Sequence, residues 1–328
     1  MINTIEEAIG KLRYIQLDSD FTPQQILHMV LAGGASQTLL NLHTQAYQSA
    51  VEFLCTATAS MPDYSIRGGL IKEDEAGPFF VGERPNEFLG TLAAAGIHFD
   101  TVGIVTDKGN SGTLSDLVKV AMRKTIAPEH EPGWSLMLFS VYPGATKEWT
   151  DDRGEMQSVE KILKNACNRR FGSGVCFGSH LLEGIAFAVS RYCMEQDVEP
   201  AQLDGVWRRG FDYSQTAMRL IRRNLLEDGS INRCWFKEKS YPRTGQEWKE
   251  KWKDLTSRHF RPAYAIIKPT GHLLDAISPL SMFLGSDKDW IYSALYVTAQ
   301  TIENHWIEIA SNVSALAHAI HALKVLGE

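Results

Sequence analysis

Along most of the chain apolar residues recur at spacings of three and four, the period of helices that bury one face. In 22–33, TPQQILHMVLAG, a threonine and a proline open such a pattern and two glycines close it, as a capped helix requires. In 36–57, Leu39, Leu42, Ala46, Ser49 and Phe53 fall near one face and predict a second helix. The same reasoning predicts helices over 85–96, 113–126, 133–142, 158–170, 178–189, 200–230, 270–284, 287–305 and 311–326. Only short pieces, FDTVGIVT at 99–106 and AYAII at 263–267, read as strands, and they are not spaced as a βαβ array. Segments 58–84 and 229–247 read as long loops, the usual material of cleft rims. No Pro/Ser-rich linker divides the helices, so one all-α domain over 1–328 is expected.

Composition narrows the class. With 44% hydrophobic and 22% charged residues the chain has an ordinary globular balance and the length to bury a sizeable core. A net charge of -6 counts against a nucleic-acid partner. No run approaches the ~18 apolar residues of a membrane helix, and the first residues carry acid where a signal peptide carries base. Five cysteines without paired spacing read as reduced thiols, and the expected location is cytoplasmic. Oligomeric state is left open.

One internal echo adds information. GSHLLEGIAFAV at 178–189 is matched by TGHLLDAISPLS at 270–281, both reading small-His-Leu-Leu-acid-small, and between them lies the turn Asp228-Gly229-Ser230. Repeated helix starts imply stacked αα-hairpins that bury their faces on one another. On these residues the chain resembles the α/α toroids of terpenoid cyclases and protein prenyltransferases, with NLLEDGSI similar to the DGSW turn of cyclase repeats. The two His-x-x-acid starts are also similar to those of the N-acylglucosamine 2-epimerase group. The resemblance implies an α/α toroid (barrel) of about six helical hairpins, some irregular, with a cavity where the inner helices start. The D-x-D-D acid motif of class II cyclases is absent. DDRGE at 151–155 fits the D-D-x-x-[DE] magnesium pattern on paper, but Gly154 makes it a turn before Ser158, a good N-cap.

The candidate chemistry lies in the echo. His180 and Glu183 stand three apart, on one helix face, with Cys176 just before and Phe187 one turn beyond. A histidine at a helix N-terminus sees the positive end of the dipole, which favours its neutral, basic form. His272 and Asp275 repeat the spacing. If both helices face one cavity, His180 and His272 can remove and return a proton while Glu183 and Asp275 orient them. Cys176, Phe187 and Trp235 are candidate substrate contacts. Cys176 with His180, four apart, and His318 with His321, three apart, have ligand spacing, yet no C-x-x-C or H-E-x-x-H anchors them; neither metal nor cofactor is expected. The leading expectation is an epimerase, isomerase or lyase acting on a small polar ligand. The alternatives are a terpenoid-cyclase-like enzyme with an apolar cavity and a noncanonical acid, and a non-catalytic toroid scaffold.

Overall fold

A computed structural model describes residues 2–18, 21–42, 44–56, 70–75, 77–80, 84, 86–124, 131–236, 262–283 and 288–327. Residues 57–69 and 237–261, which take in parts of the expected loops 58–84 and 229–247, therefore lie outside the described residues. The described chain is mainly helical, and its strands occur only as small antiparallel pairs. The chain divides into two compact units. Unit 1 joins Met1–Ile15 to Leu163–Glu328, and unit 2 is Gln16–Ile162. Among the described residues no helix is long and apolar enough to cross a membrane.

The chain opens with α1 (Ile2–Gly10), which belongs to unit 1. Unit 2 begins at α2 (Pro23–Gly33), capped as expected: Thr22 Oγ1 accepts from the Gln25 N–H, and the Gln25 side chain accepts from the Thr22 N–H. The next segment departs from the expected helix. Residues 36–57 form β1 (Thr38–Asn41) and β2 (Ala46–Ser49), paired antiparallel with Leu39 opposite Gln48, before α3 (Ala50–Thr56). The reason is Ser49, whose Oγ accepts from the Glu52 N–H at 3.3 Å: a serine that caps a helix cannot sit inside one.

That hairpin-to-helix join recurs. β3 (Ile71–Asp74) and β4 (Gly77–Phe80) pair next, followed by α4 (Glu87–Ala94). Then β5 (Gly103–Val105) and β6 (Ser111–Thr113) run straight into α5 (Leu114–Arg123), where Thr113 and Asp116 form the cap. The apolar helix α6 (Gly133–Phe139) follows. Finally β7 (Glu148–Thr150) and β8 (Met156–Ser158) run into α7 (Val159–Ala166), and Ser158 Oγ accepts from the Lys161 N–H. DDRGE is the turn of that last hairpin. Its buried Asp151 is used internally, accepting from the N–H groups of Arg153 and Glu155 and from Gln157 Nε2 at 2.8–3.0 Å.

Unit 1 continues through α8 (Ser179–Gln196), α9 (Gly205–Arg223), α10 (Pro262–Ile277), α11 (Asp289–Asn304), the short α12 (Trp306–Ala310) and α13 (Val313–Gly327). Helix α10 corrects two expectations. It takes in AYAII, read as a strand, because Ala263, Ile267, Thr270 and Leu274 fall at helical spacing and all are buried. It also begins well before TGHLLD, so His272 lies beyond the middle of its helix, whereas His180 is the second residue of α8. The echo is thus not a repeated helix start. α10 packs against α8, α11 and α13, which makes it the centre of this unit's core.

Candidate active site: a buried cluster of imidazoles and carboxylates

The cluster begins at a tightly wound turn. Between Gly172 and Gly178 the backbone enters left-handed conformations repeatedly, at Gly172 (φ +73°), Gly174 (+92°) and Gly178 (+77°), and also at two residues with side chains, Cys176 (φ 48°) and Phe177 (φ 63°). Non-glycine residues adopt such angles only where their surroundings impose them. Here a Cβ on Gly178 would stand 2.8 Å from the Gly172 Cα, so the two ends of the turn touch backbone to backbone. Trp235 fixes the middle, its Nε1–H donating to the Phe177 carbonyl at 3.0 Å, while Asn224 Nδ2 donates to the Trp235 carbonyl at 2.9 Å. Trp235 is fully buried and serves this turn as a buttress.

The turn delivers Cys176 beside the first residues of α8. His180 and Glu183 are both buried, and the His180 Nδ1 lies 3.3 Å from Glu183 Oε2. Opposite them α10 carries His272 and Asp275 one turn apart. A third helix completes the group. Gly271 has a virtual Cβ only 2.8 Å from the Ala319 Cβ and 2.9 Å from the Ala319 Cα, so glycine there lets α10 approach α13 closely. That approach brings Asp275 against α13: His318 Nδ1–H donates to Oδ2 and His321 Nδ1–H donates to Oδ1, each at 2.6 Å. The ring of His318 lies 4.0 Å from that of His272 and 5.3 Å from that of His180, and His180 and His272 are 5.7 Å apart.

The electrostatics follow from this packing. Burial, the largest influence on His180, disfavours its charge, but hydrogen bonding to Cys176 and Glu183 and the charges of both prevail and push it up to about 10. This balance favours the protonated ring, the opposite direction to that expected from the helix dipole alone. Burial also works against the Asp275 carboxylate; the charge of His321 and the bonds from both histidines overcome it and hold the group well below the usual carboxylate range. His321 is raised in turn, the Asp275 charge outweighing burial.

Of the residues singled out from sequence, Cys176, His180, Glu183, His272 and Asp275 all enter this one cluster. Their pairing differs from the expectation in one respect. Asp275 bonds His318 and His321 instead of orienting its helical neighbour His272. Phe187 is half-buried further along α8, and Trp235 supports the turn. His318, the residue the sequence reading used only as a ligand spacing with His321, is central. Its signal was a pair of histidines three apart in an otherwise apolar stretch, ALAHAIHAL. No family model, curated protein or solved structure matches the chain.

Proposed function

We propose that unit 1 holds the reaction centre of an enzyme that moves protons on a small polar ligand, of epimerase, isomerase or lyase type. The observation that carries this reading is the Asp275 carboxylate accepting an Nδ1–H from two imidazoles at 2.6 Å. An ionised carboxylate can only accept, so both histidines present an Nδ1–H to it, and a neutral His318 keeps its basic lone pair on Nε2. His318 is then the base, and Asp275 stabilises the imidazolium that forms when it takes a proton. His321, with a side chain 19% exposed, links the carboxylate toward solvent. His180 supplies positive charge a ring's width away, where negative charge develops on a ligand losing a proton.

The expected exchange between His180 and His272 suits this geometry poorly. Two bases that flank one carbon stand about 6 Å apart across it, at roughly 3 Å each. Donor atoms of these two histidines lie within 4.8 Å of each other. The reading therefore moves the base to His318. Converging titratable groups favour it over an apolar cyclase cavity and over a scaffold. The proposal keeps the α/α toroid as its framework, with α8 on α9 and α10 on α11 and α13 as hairpin layers, and keeps a cytoplasmic location.

Its test is solvent exchange. Panels of aldoses, acylated amino sugars and hydroxy acids are incubated with the protein in deuterium oxide and followed by proton NMR. The wild type is expected to exchange a carbon-bound proton of one class, and His318→Gln and Asp275→Asn to lose that exchange while staying folded. Exchange that continues unchanged in both variants overturns the assignment.

A further inference from the structure

We propose that Cys176, His180 and His272 form a mononuclear site for a divalent transition-metal ion of the zinc class, with one coordination position left open to a ligand. Three elements supply the donors: the strained turn, the first turn of α8 and the body of α10. One ligand atom from each residue lies within 4.8 Å of the other two, so a common point exists at most about 2.8 Å (4.8/√3) from all three. Zinc stands at about 2.3 Å from thiolate sulfur and 2.0–2.1 Å from imidazole nitrogen, so each donor has to close by only about half an ångström or slightly more.

The donor chemistry selects the ion. A thiolate with two imidazoles suits zinc and its neighbours and does not suit magnesium or calcium, which take oxygen. Three protein donors are the number found where a metal keeps a place for water or substrate, as against the four of a structural site. The surroundings also match a built site. Glu183 engages the His180 Nδ1, the outer carboxylate that metal-bound histidines generally have, which leaves Nε2 as the donor. His318, held by Asp275, lies with its ring 4.0 Å from that of His272, tilted by 35°. The left-handed angles at Cys176 and Phe177 are backbone strain retained where the thiol is aimed. Cys176 is half-buried, so the thiol sits at the edge of the buried cluster that holds His180, Glu183 and His272.

This inference goes beyond the acid–base reading and does not require it. With the ion in place, the metal supplies positive charge to the cluster, and His318 remains beside it as the base.

The experiment uses the full chain, treated with chelator and titrated with cobalt(II). One equivalent is expected to produce a thiolate-to-cobalt charge-transfer band in the near ultraviolet together with intense four-coordinate visible bands, all abolished by zinc(II). Cys176→Ser should lose the charge-transfer band, and Cys234→Ser, which removes another half-buried thiol, should keep it. A second measurement needs no variant. Alkylation of Cys176 in the wild type, located by peptide mass spectrometry, should slow roughly a hundredfold when free zinc stands at about 100 times its Kd. Absence of a thiolate band with unchanged alkylation overturns the site, as does a band that survives Cys176→Ser. A chain that binds no cobalt yet exchanges substrate protons overturns the metal and leaves the acid–base reading standing.

Discussion

Replacing Asp275 by asparagine tests the energetic centre of the cluster. The carboxylate is 1% exposed and accepts two hydrogen bonds at 2.6 Å, from His318 with a side chain 3% exposed and from His321. Asparagine keeps one acceptor oxygen and sets an NH2 group where the other stood, so one charge-assisted bond is lost and two donors face each other. A bond to a charged group contributes about 1.5–3 kcal/mol, and breaking a buried ion pair costs about 3–5, so Asp275→Asn should lose about 2–4 kcal/mol of unit 1 stability. In a unit of this size that lowers Tm by roughly 4–16 °C. The assay is urea unfolding followed by circular dichroism, with the slope held common so that only the midpoint reports stability.

The pH dependence adds a signature that a packing defect would not show. The Asp275 carboxyl is held below its unfolded value of ~3.9, so its stabilisation is present above that pH and is lost as pH falls through the folded value. The imidazole of His321 is raised above ~6.5, so its share is complete below that pH and is lost as pH rises through its folded value. The gap between wild type and Asp275→Asn is therefore widest between about pH 4 and pH 6.5 and narrows on both sides. A variant within about 0.5 kcal/mol of wild type at pH 6, the range of an ordinary surface change, would refute the reasoning. So would a gap that stays level with pH.

Three other substitutions probe the supports. Gly178→Ala places a Cβ against the Gly172 backbone at a φ of +77°; it should cost about 1–3 kcal/mol and change the alkylation rate of Cys176, and an unchanged melt and rate would contradict the turn described. Gly271→Ala forces α10 from α13 by contact with Ala319 and should cost about 1–3 kcal/mol, seen as a lower urea midpoint. In the metal-free chain His180 is raised to about 10, so its contribution is full below ~6.5 and is lost as pH rises through about 10; His180→Gln should remove the fall in stability that the chelator-treated wild type shows between those values, measured by urea midpoints across that range.

Much of this was legible in the sequence wherever information is local. The Thr22 cap, the Pro23 start and the i, i+3 pair of His180 and Glu183 are all set within one helical turn, and the structure contains them. The hairpin at 38–49 was misread because its apolar residues also satisfy a spacing of three and four; Ser49 acting as a cap decided against the helix. AYAII looked like a strand because its isoleucines are β-branched, yet α10 buries one face through it, and tertiary packing outweighs so short a propensity. The pairing of Asp275 with His318 and His321 lay beyond a local reading altogether. It joins residues 43 and 46 positions apart and depends on the close approach that Gly271 permits. Cys176 and His272 likewise converge only through the packing of α10 on α8.

The central claim is that one buried carboxylate orders two imidazoles and leaves His318 with a basic Nε2. Nitrogen-15 correlation spectra of the histidine side chains read this directly, since the two ring nitrogens of each tautomer resonate apart. The account predicts Nδ1–H on His318 and His321, with strongly hydrogen-bonded protons that are lost in Asp275→Asn. An Nε2–H tautomer at His318, with a spectrum that Asp275→Asn does not move, would contradict it.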